Sequence, residues 1–359
     1  MLGIASVLPT SAVSQDSFVI GVSAPMSGYF DILGEQIETG VRAAVSGNNA
    51  VTLSVFDDEC SPEGGAKAAE ALISANVSVA IGFPCIEAFD TAMPKLAEAG
   101  IPVILVGVQA DALTQEREKK DWKLLRLGPR NSDEAAAIAE YLKSAWREAN
   151  FAIIDDGTLY GRQLAETVRV ILEEDNLKPI FADTYRPQLQ NQVAVVRRLQ
   201  KAGAAHVFIG GDAFDAAVIG KDAEAIKVQL RIAGGSAFIA PPADGKLPEE
   251  TVFAALPDWL SRDAASGLRD KLPVDTAIKD GYVAPAFAAV EIALAGMESR
   301  DDAGHVIIEY LIGKQIETAI GPVTFNEKGD LAVNLFEVFV VKDGRIQSAG
   351  PPDSTGAIR

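Results

Sequence analysis

The chain is 359 residues long, more than one hydrophobic core of ordinary size covers, so two domains are expected. Its 32 Lys and Arg stand against 50 Asp and Glu, a formal net charge of −18, which leaves little to neutralise nucleic-acid phosphates and excludes that class of partner. With 48% hydrophobic and 23% charged residues, the composition is that of a folded globular protein and lies outside the disordered class.

The first stretch, MLGIASVLPTSAVS, is apolar and ends in small residues, as the core and cleavage site of a secretory signal do, yet no Lys or Arg precedes it. Residues 1–16 are read as a signal remnant or a plain tail, with folding starting near Ser17. The stretch falls short of the roughly 20 apolar residues that cross a bilayer, and no stable membrane insertion is expected.

From there short β-branched runs alternate with longer amphipathic stretches. FVIGVSAP (18–25) precedes a helix at about 34–47, on which Ile37, Val41, Ala44 and Val45 share one face. VTLSVFDD (51–58) precedes a helix at 62–75, whose start is marked by Ser61 as cap and Pro62 in the first turn. VAIGFP (79–84), a helix at 87–99 and PVILVGV (102–108) follow, and the charged stretch from Gln115 to Lys123 then interrupts the alternation.

A second series opens with a helix at 133–149 and continues through FAIIDD (151–156), PIFADTYR (179–186), HVFIGG (206–211) and LRIAGG (230–235), with a helix in each interval. After TVFAALP (251–257) the pattern predicts a long helix at 280–298 and a shorter one near 303–312. Two strands joined through Asn326–Asp330 come next, then a turn at Lys342–Arg345 and a Pro351-Pro352 tail.

Near-continuous apolar strands alternating with helices belong in parallel sheets covered on both faces. The fold class is therefore α/β, with two doubly wound parallel-sheet lobes and a ligand cleft between them, since such sheets bind ligands beyond the carboxyl ends of their strands. Cys60 and Cys85 each follow a strand end, and they are either a disulfide, which implies an oxidising compartment, or two reduced thiols.

No constellation points to catalysis. His206 opens an apolar strand, His305 lies near a helix start, and neither sits in a nucleophile or metal signature. The Gly-rich turns lack the spacings that cradle a pyrophosphate. Asp57-Asp58 and Asp155-Asp156 are adjacent strand residues that point to opposite faces, which suits neither a carboxylate pair nor a metal site. No enzyme activity, cofactor or metal is expected.

The runs GVSAPMSGYFDILGEQIETGVRAA, DDECSP, IGFPC, IPVILVGVQADALTQ, IIDDGTLYGRQLAETV and IGPVTFNEKGDL, in this order and spacing, resemble the periplasmic leucine/isoleucine/valine-binding proteins over nearly the whole chain. The resemblance implies a type I periplasmic binding fold and a disulfide between Cys60 and Cys85. It also implies a monomeric periplasmic receptor that closes on a small ligand and passes it to the permease subunits of an ABC transporter. Lobe 1 would combine 17–128 with 256–332, lobe 2 would combine 129–255 with 333–350, and 351–359 would be a tail. A cytoplasmic sensor of the same fold, regulating a partner protein, is the alternative.

Carried over by position, the ligand would meet Ser27, Gln109, Tyr160, Asp212 and Ser236 as polar groups and Phe30, Ile86 and Phe287 as apolar walls. Three anchors depart from the family pattern. Ile86 stands where a hydroxyl holds an amino acid's carboxylate, Gln109 stands where the family has threonine, and Ser236 falls near the acid that receives the ammonium. Leucine should therefore bind poorly. Amino acids and their amides lead as ligand class, and aromatic acids follow.

Overall fold

The computed structural model describes residues 18–240, 245–273 and 280–350; the Met1–Ser14 segment, Ser17 and the Pro351-Pro352 tail lie outside them. The chain opens with β1 (Phe18–Ala24), α1 (Asp31–Val45), β2 (Val51–Asp57), α2 (Pro62–Ser74), β3 (Val79–Gly82) and α3 (Ile86–Glu98). It continues through β4 (Val103–Leu105), α4 (Ala112–Lys120), β5 (Leu124–Arg126), α5 (Asn131–Ala145), β6 (Phe151–Asp155), α6 (Leu159–Glu174) and β7 (Phe181–Thr184). Next are α7 (Val193–Ala202), β8 (His206–Gly210), α8 (Ala213–Ala225), β9 (Arg231–Gly234) and β10 (Val252–Ala255). The last are α9 (Ser266–Lys271), α10 (Val283–Ala295), β11 (Glu337–Lys342) and β12 (Arg345–Ser348).

These elements form two compact units. One comprises the residues up to Val108 with Glu116–Leu127 and Leu260–Asp330; the other comprises Gln109–Gln115, Gly128–Trp259 and the residues from Leu331 onward.

The first unit holds a parallel sheet in the order β2-β1-β3-β4-β5. Phe18, Ile20 and Val22 of the inner strand β1 are fully buried, as a strand covered on both faces requires. α2 begins as its sequence predicts, with the Ser61 hydroxyl accepting from the Gly64 N–H at 3.0 Å and Pro62 in the first turn. α1 lies against α10 closely enough that a β-carbon at Gly40 would stand 2.2 Å from the Val283 carbonyl oxygen, so only glycine fits.

Cys60 and Cys85 form a disulfide with a Cα–Cα distance of 5.3 Å. They follow β2 and β3, which are not sheet neighbours, because β1 runs between them. The two loops therefore bring the sulfurs together from either side of the central strand.

The second unit's sheet runs β12-β11-β10-β9-β8-β6-β7, parallel from β7 to β10, with β11 and β12 added antiparallel. Its inner strands β6, β8, β9 and β10 alternate between two cores. Phe151, Ile153 and Phe208 pack with Ile138, Leu142, Val168 and Leu172 of α5 and α6 on one face. Ala152, Ile154, Val207 and Ile209 pack with Val196, Leu199 and Ile219 of α7 and α8 on the other. Both faces being apolar is why the strands read as continuous hydrophobic runs.

Three expectations change. The charged stretch around Gln115–Lys123 does not break the alternation: it is mostly α4, a helix of which only Leu113 is buried, and it leads through the buried Trp122 into β5. The strand was hidden by its length of three residues and by Arg126, a charge inside a buried strand. The helix expected at 303–312 is reduced to a single tight turn at Ile308–Tyr310, because Asp301 Oδ1 accepts from the Ala303 and His305 N–H groups and holds that region as a loop. Asn326–Asp330 joins no regular strands. It is a turn closed by Asn326 N–H to Asp330 O at 2.8 Å, between isolated bridges such as Ile312 with Phe325.

Candidate functional site

In the second unit a pocket of about 300 Å³ is lined by residues at the beginnings of two helices and the end of one strand. Tyr160 is the second residue of α6, whose start is held by the Thr158 hydroxyl accepting from the Gly161 N–H at 3.0 Å. Ser236 follows β9, at the carboxyl end of the parallel strands where such sheets gather their ligand loops. Gln109 is tied to the start of α5 by its carbonyl, which accepts from the Asn131 N–H at 2.9 Å.

Glu134 joins these groups. Its Oε1 accepts from the Tyr160 hydroxyl at 2.7 Å and from the Ser236 N–H at 2.6 Å, while its side chain lines the pocket. Burial first, and then the Glu134 charge, push the Tyr160 phenol well above its ordinary pKa, so it remains a neutral donor. Gly235 makes room for this arrangement: a β-carbon there would come within 2.2 Å of Glu134 Oε1 and 2.7 Å of the Tyr160 oxygen. At the pocket's edge, Asp111 Oδ1 accepts from the Ser132 hydroxyl at 2.7 Å.

Thus Gln109, Tyr160 and Ser236, read from the sequence, come together. Asp212 does not line this pocket. It caps α8, with Oδ1 accepting from the Asp215 N–H at 2.9 Å and Oδ2 from Gln188 Nε2 at 2.7 Å, so both its oxygens are engaged. Glu134 was missed because a glutamate in a first helical turn reads as a favourable dipole partner. Its signal was positional: it falls four residues before Ile138 and eight before Leu142, on the buried stripe of α5.

In the first unit, the Ser27 hydroxyl donates to Asp57 Oδ2 at 2.6 Å. Burial raises the Asp57 carboxyl, but the Ser27 hydroxyl and the backbone N–H groups of Glu59, Met26 and Ser27 outweigh it and hold the group below its ordinary pKa. Asp58 is buried and accepts from the Ser23 hydroxyl at 2.9 Å and the Cys60 N–H at 3.0 Å. Both acids therefore tie loops. Phe30 precedes α1 and is exposed, in edge contact with Tyr29. Ile86 is the first residue of α3 and half-buried. Phe287 is 3% exposed in the core around α10, with Lys271 Nζ 5.5 Å from its ring centre. Among the described residues no group of three or more His, Cys, Asp or Glu is placed to hold a metal, and no helix is long and apolar enough to cross a membrane.

The periplasmic binding protein family model matches residues 17–345. The chain belongs to the periplasmic binding protein family. Among individual relatives of this periplasmic binding protein, "Leu/Ile/Val-binding protein homolog 3" of Brucella melitensis is 25% identical over 356 residues, covering 95% of this chain and 96% of the relative. An ABC transporter substrate-binding protein from Desulfitobacterium hafniense superposes with a TM-score of 0.71 at 19% identity, over 93% of this chain and 100% of that one. A solute-binding protein from Rhodopseudomonas palustris HaA2, solved with p-hydroxybenzoic acid, gives 0.68 at 16% identity, over 93% and 95%. The type I periplasmic binding fold expected from the sequence motifs is the fold of the chain.

Proposed function

We propose that this periplasmic binding protein is the extracytoplasmic solute-binding component of an ABC transporter of the branched-chain-amino-acid type, taking an amino-acid-like, amide or aromatic-acid ligand and delivering it to membrane permease subunits. The observation that carries this reading is the pocket in which Tyr160, Ser236 and Gln109 surround the buried Glu134 carboxylate. A few fixed polar groups converging in a concave site are what orient a small ligand. The Leu/Ile/Val-binding relative supports the amino-acid class and the p-hydroxybenzoate-bound structural neighbour the aromatic-acid class. The Cys60–Cys85 disulfide supports export, because such bonds persist in oxidising compartments. Trapping is proposed to follow from closure of the lobes on the ligand.

A thermal-shift screen over amino acids, their amides and aromatic acids tests the reading. A ligand at 100 times its dissociation constant adds about 2.7 kcal/mol of stability, and a saturable upward shift with one class is expected. Small-angle scattering should show a smaller radius of gyration with that ligand. A cytoplasmic sensor would instead yield free thiols in protein from its native compartment and would co-purify with a regulated partner.

A further inference from the structure

We propose that Glu134 is the charge anchor of the ligand pocket and selects a cationic amine whose carboxylate is masked or absent, such as an amino-acid amide, over zwitterions and over acids. This rests on the solute-receptor reading and narrows its ligand class. Glu134 is only 7% exposed, yet it lines the pocket. Its Oε1 is saturated by two donors, the Tyr160 hydroxyl and the Ser236 N–H, while Oε2 has no hydrogen-bond partner among the described residues. That second oxygen is open to the pocket rather than sealed in the core, so a ligand ammonium can reach it and supply both a donor and the compensating charge.

The rest of the lining points the same way. Asp111 is a second carboxylate at the pocket, fixed by Ser132, and no Lys, Arg or His is among the described residues that line it. A ligand carboxylate placed here would meet two like charges and no base, whereas Gln109 and the Ser236 hydroxyl suit a neutral amide. Tyr160 and Ser236 also prevent Glu134 from turning away, because both donors would be lost together. Glu134 is therefore a specificity-determining residue, held with one oxygen for the protein and one for the ligand.

The test uses four molecules of similar size: L-leucinamide, L-leucine, 2-hydroxy-4-methylpentanoate and 4-hydroxybenzoate, titrated by calorimetry into the wild-type chain and Glu134→Gln. The amide oxygen of glutamine keeps the acceptor for Tyr160 and Ser236 while the charge is removed. The expected result is that leucinamide binds the wild type more tightly than the other three, and that Glu134→Gln weakens it by about tenfold to a hundredfold, the range for a hydrogen bond to a charged group. Tighter binding of either acid or of leucine by the wild type overturns the assignment and leaves the solute-receptor reading standing. So does a leucinamide affinity untouched in a folded Glu134→Gln, which would make Glu134 merely structural. If the wild type binds none of these molecules and no solute of the wider screen, both the assignment and the receptor reading fall. The wild-type ranking decides even if the variant does not fold.

Discussion

Arg126 and Asp330 are 204 positions apart in the chain, and the Arg126 Nε–H donates to Asp330 Oδ1 at 2.7 Å. The guanidinium NH2 group reaches the same oxygen at 2.7 Å, and the Arg126 N–H donates to the Gly329 carbonyl at 2.7 Å. The side chains are 2% and 6% exposed, so the pair ties the last strand of the first unit's sheet to the end of that unit's final segment without help from water. Removing one member of such a pair takes the balancing charge from a buried one. Asp330→Ala should cost about 3–5 kcal/mol in urea denaturation, whereas a well-packed apolar replacement of both residues should cost far less.

The disulfide joins Cys60 and Cys85 across a sequence separation of 25. Closing a loop of that length removes unfolded-state entropy worth about 3.5 kcal/mol, and the core around the first unit's sheet is large enough to stand without it. Reduction is expected to lower the melting temperature while leaving the far-ultraviolet circular dichroism unchanged below the transition. Mass spectrometry of the alkylated protein checks that the bond is present before reduction.

Asp215, in the first turn of α8, is fully buried, and its Oδ2 has no hydrogen-bond partner. Burial first, with contributions from the charges of Asp212 and Asp156, raises its pKa to about 6, against stabilisation of the charged form by Gln188 and Gln192. A carboxyl raised in the folded state binds more protons there than in the unfolded chain, so its contribution to stability falls as pH rises from about 4 to about 6. Asp215→Asn keeps an acceptor for the Gln188 N–H, which donates to Oδ1 at 2.9 Å in the wild type. The variant should match the wild type near pH 4 and exceed it in stability at pH 7, measured by denaturation at both pH values.

Gly235 adjoins Glu134, Leu164 and Tyr160, and a β-carbon there would lie 2.4 Å from Leu164 Cδ2 as well as against the two polar side chains. Overpacking of this kind costs about 1–3 kcal/mol. Gly235→Ala should lower stability by that amount and should also abolish ligand-induced thermal shifts, because the Ser236 N–H and the Tyr160 hydroxyl can no longer both reach Glu134. An alanine variant that binds normally would show that this carboxylate does not organise the pocket.

The alternation of apolar runs such as VAIGFP, FAIIDD and HVFIGG with helical stretches was enough to determine two sheets built on parallel strands, because a strand buried on both faces is apolar along its length. Ser61 and Pro62 likewise marked the start of α2, since a cap is satisfied by residues within one turn. Local rules of this kind do not extend to β5, where the buried Arg126 pairs with Asp330 from far along the chain. They do not extend to Glu134 either. Its helix could place it on the buried stripe, but its role depends on Tyr160 and Ser236, 26 and 102 residues away, meeting one of its oxygens. Periodicity reports which face of an element loses water; which charge survives there depends on partners that only the folded chain brings within hydrogen-bond distance.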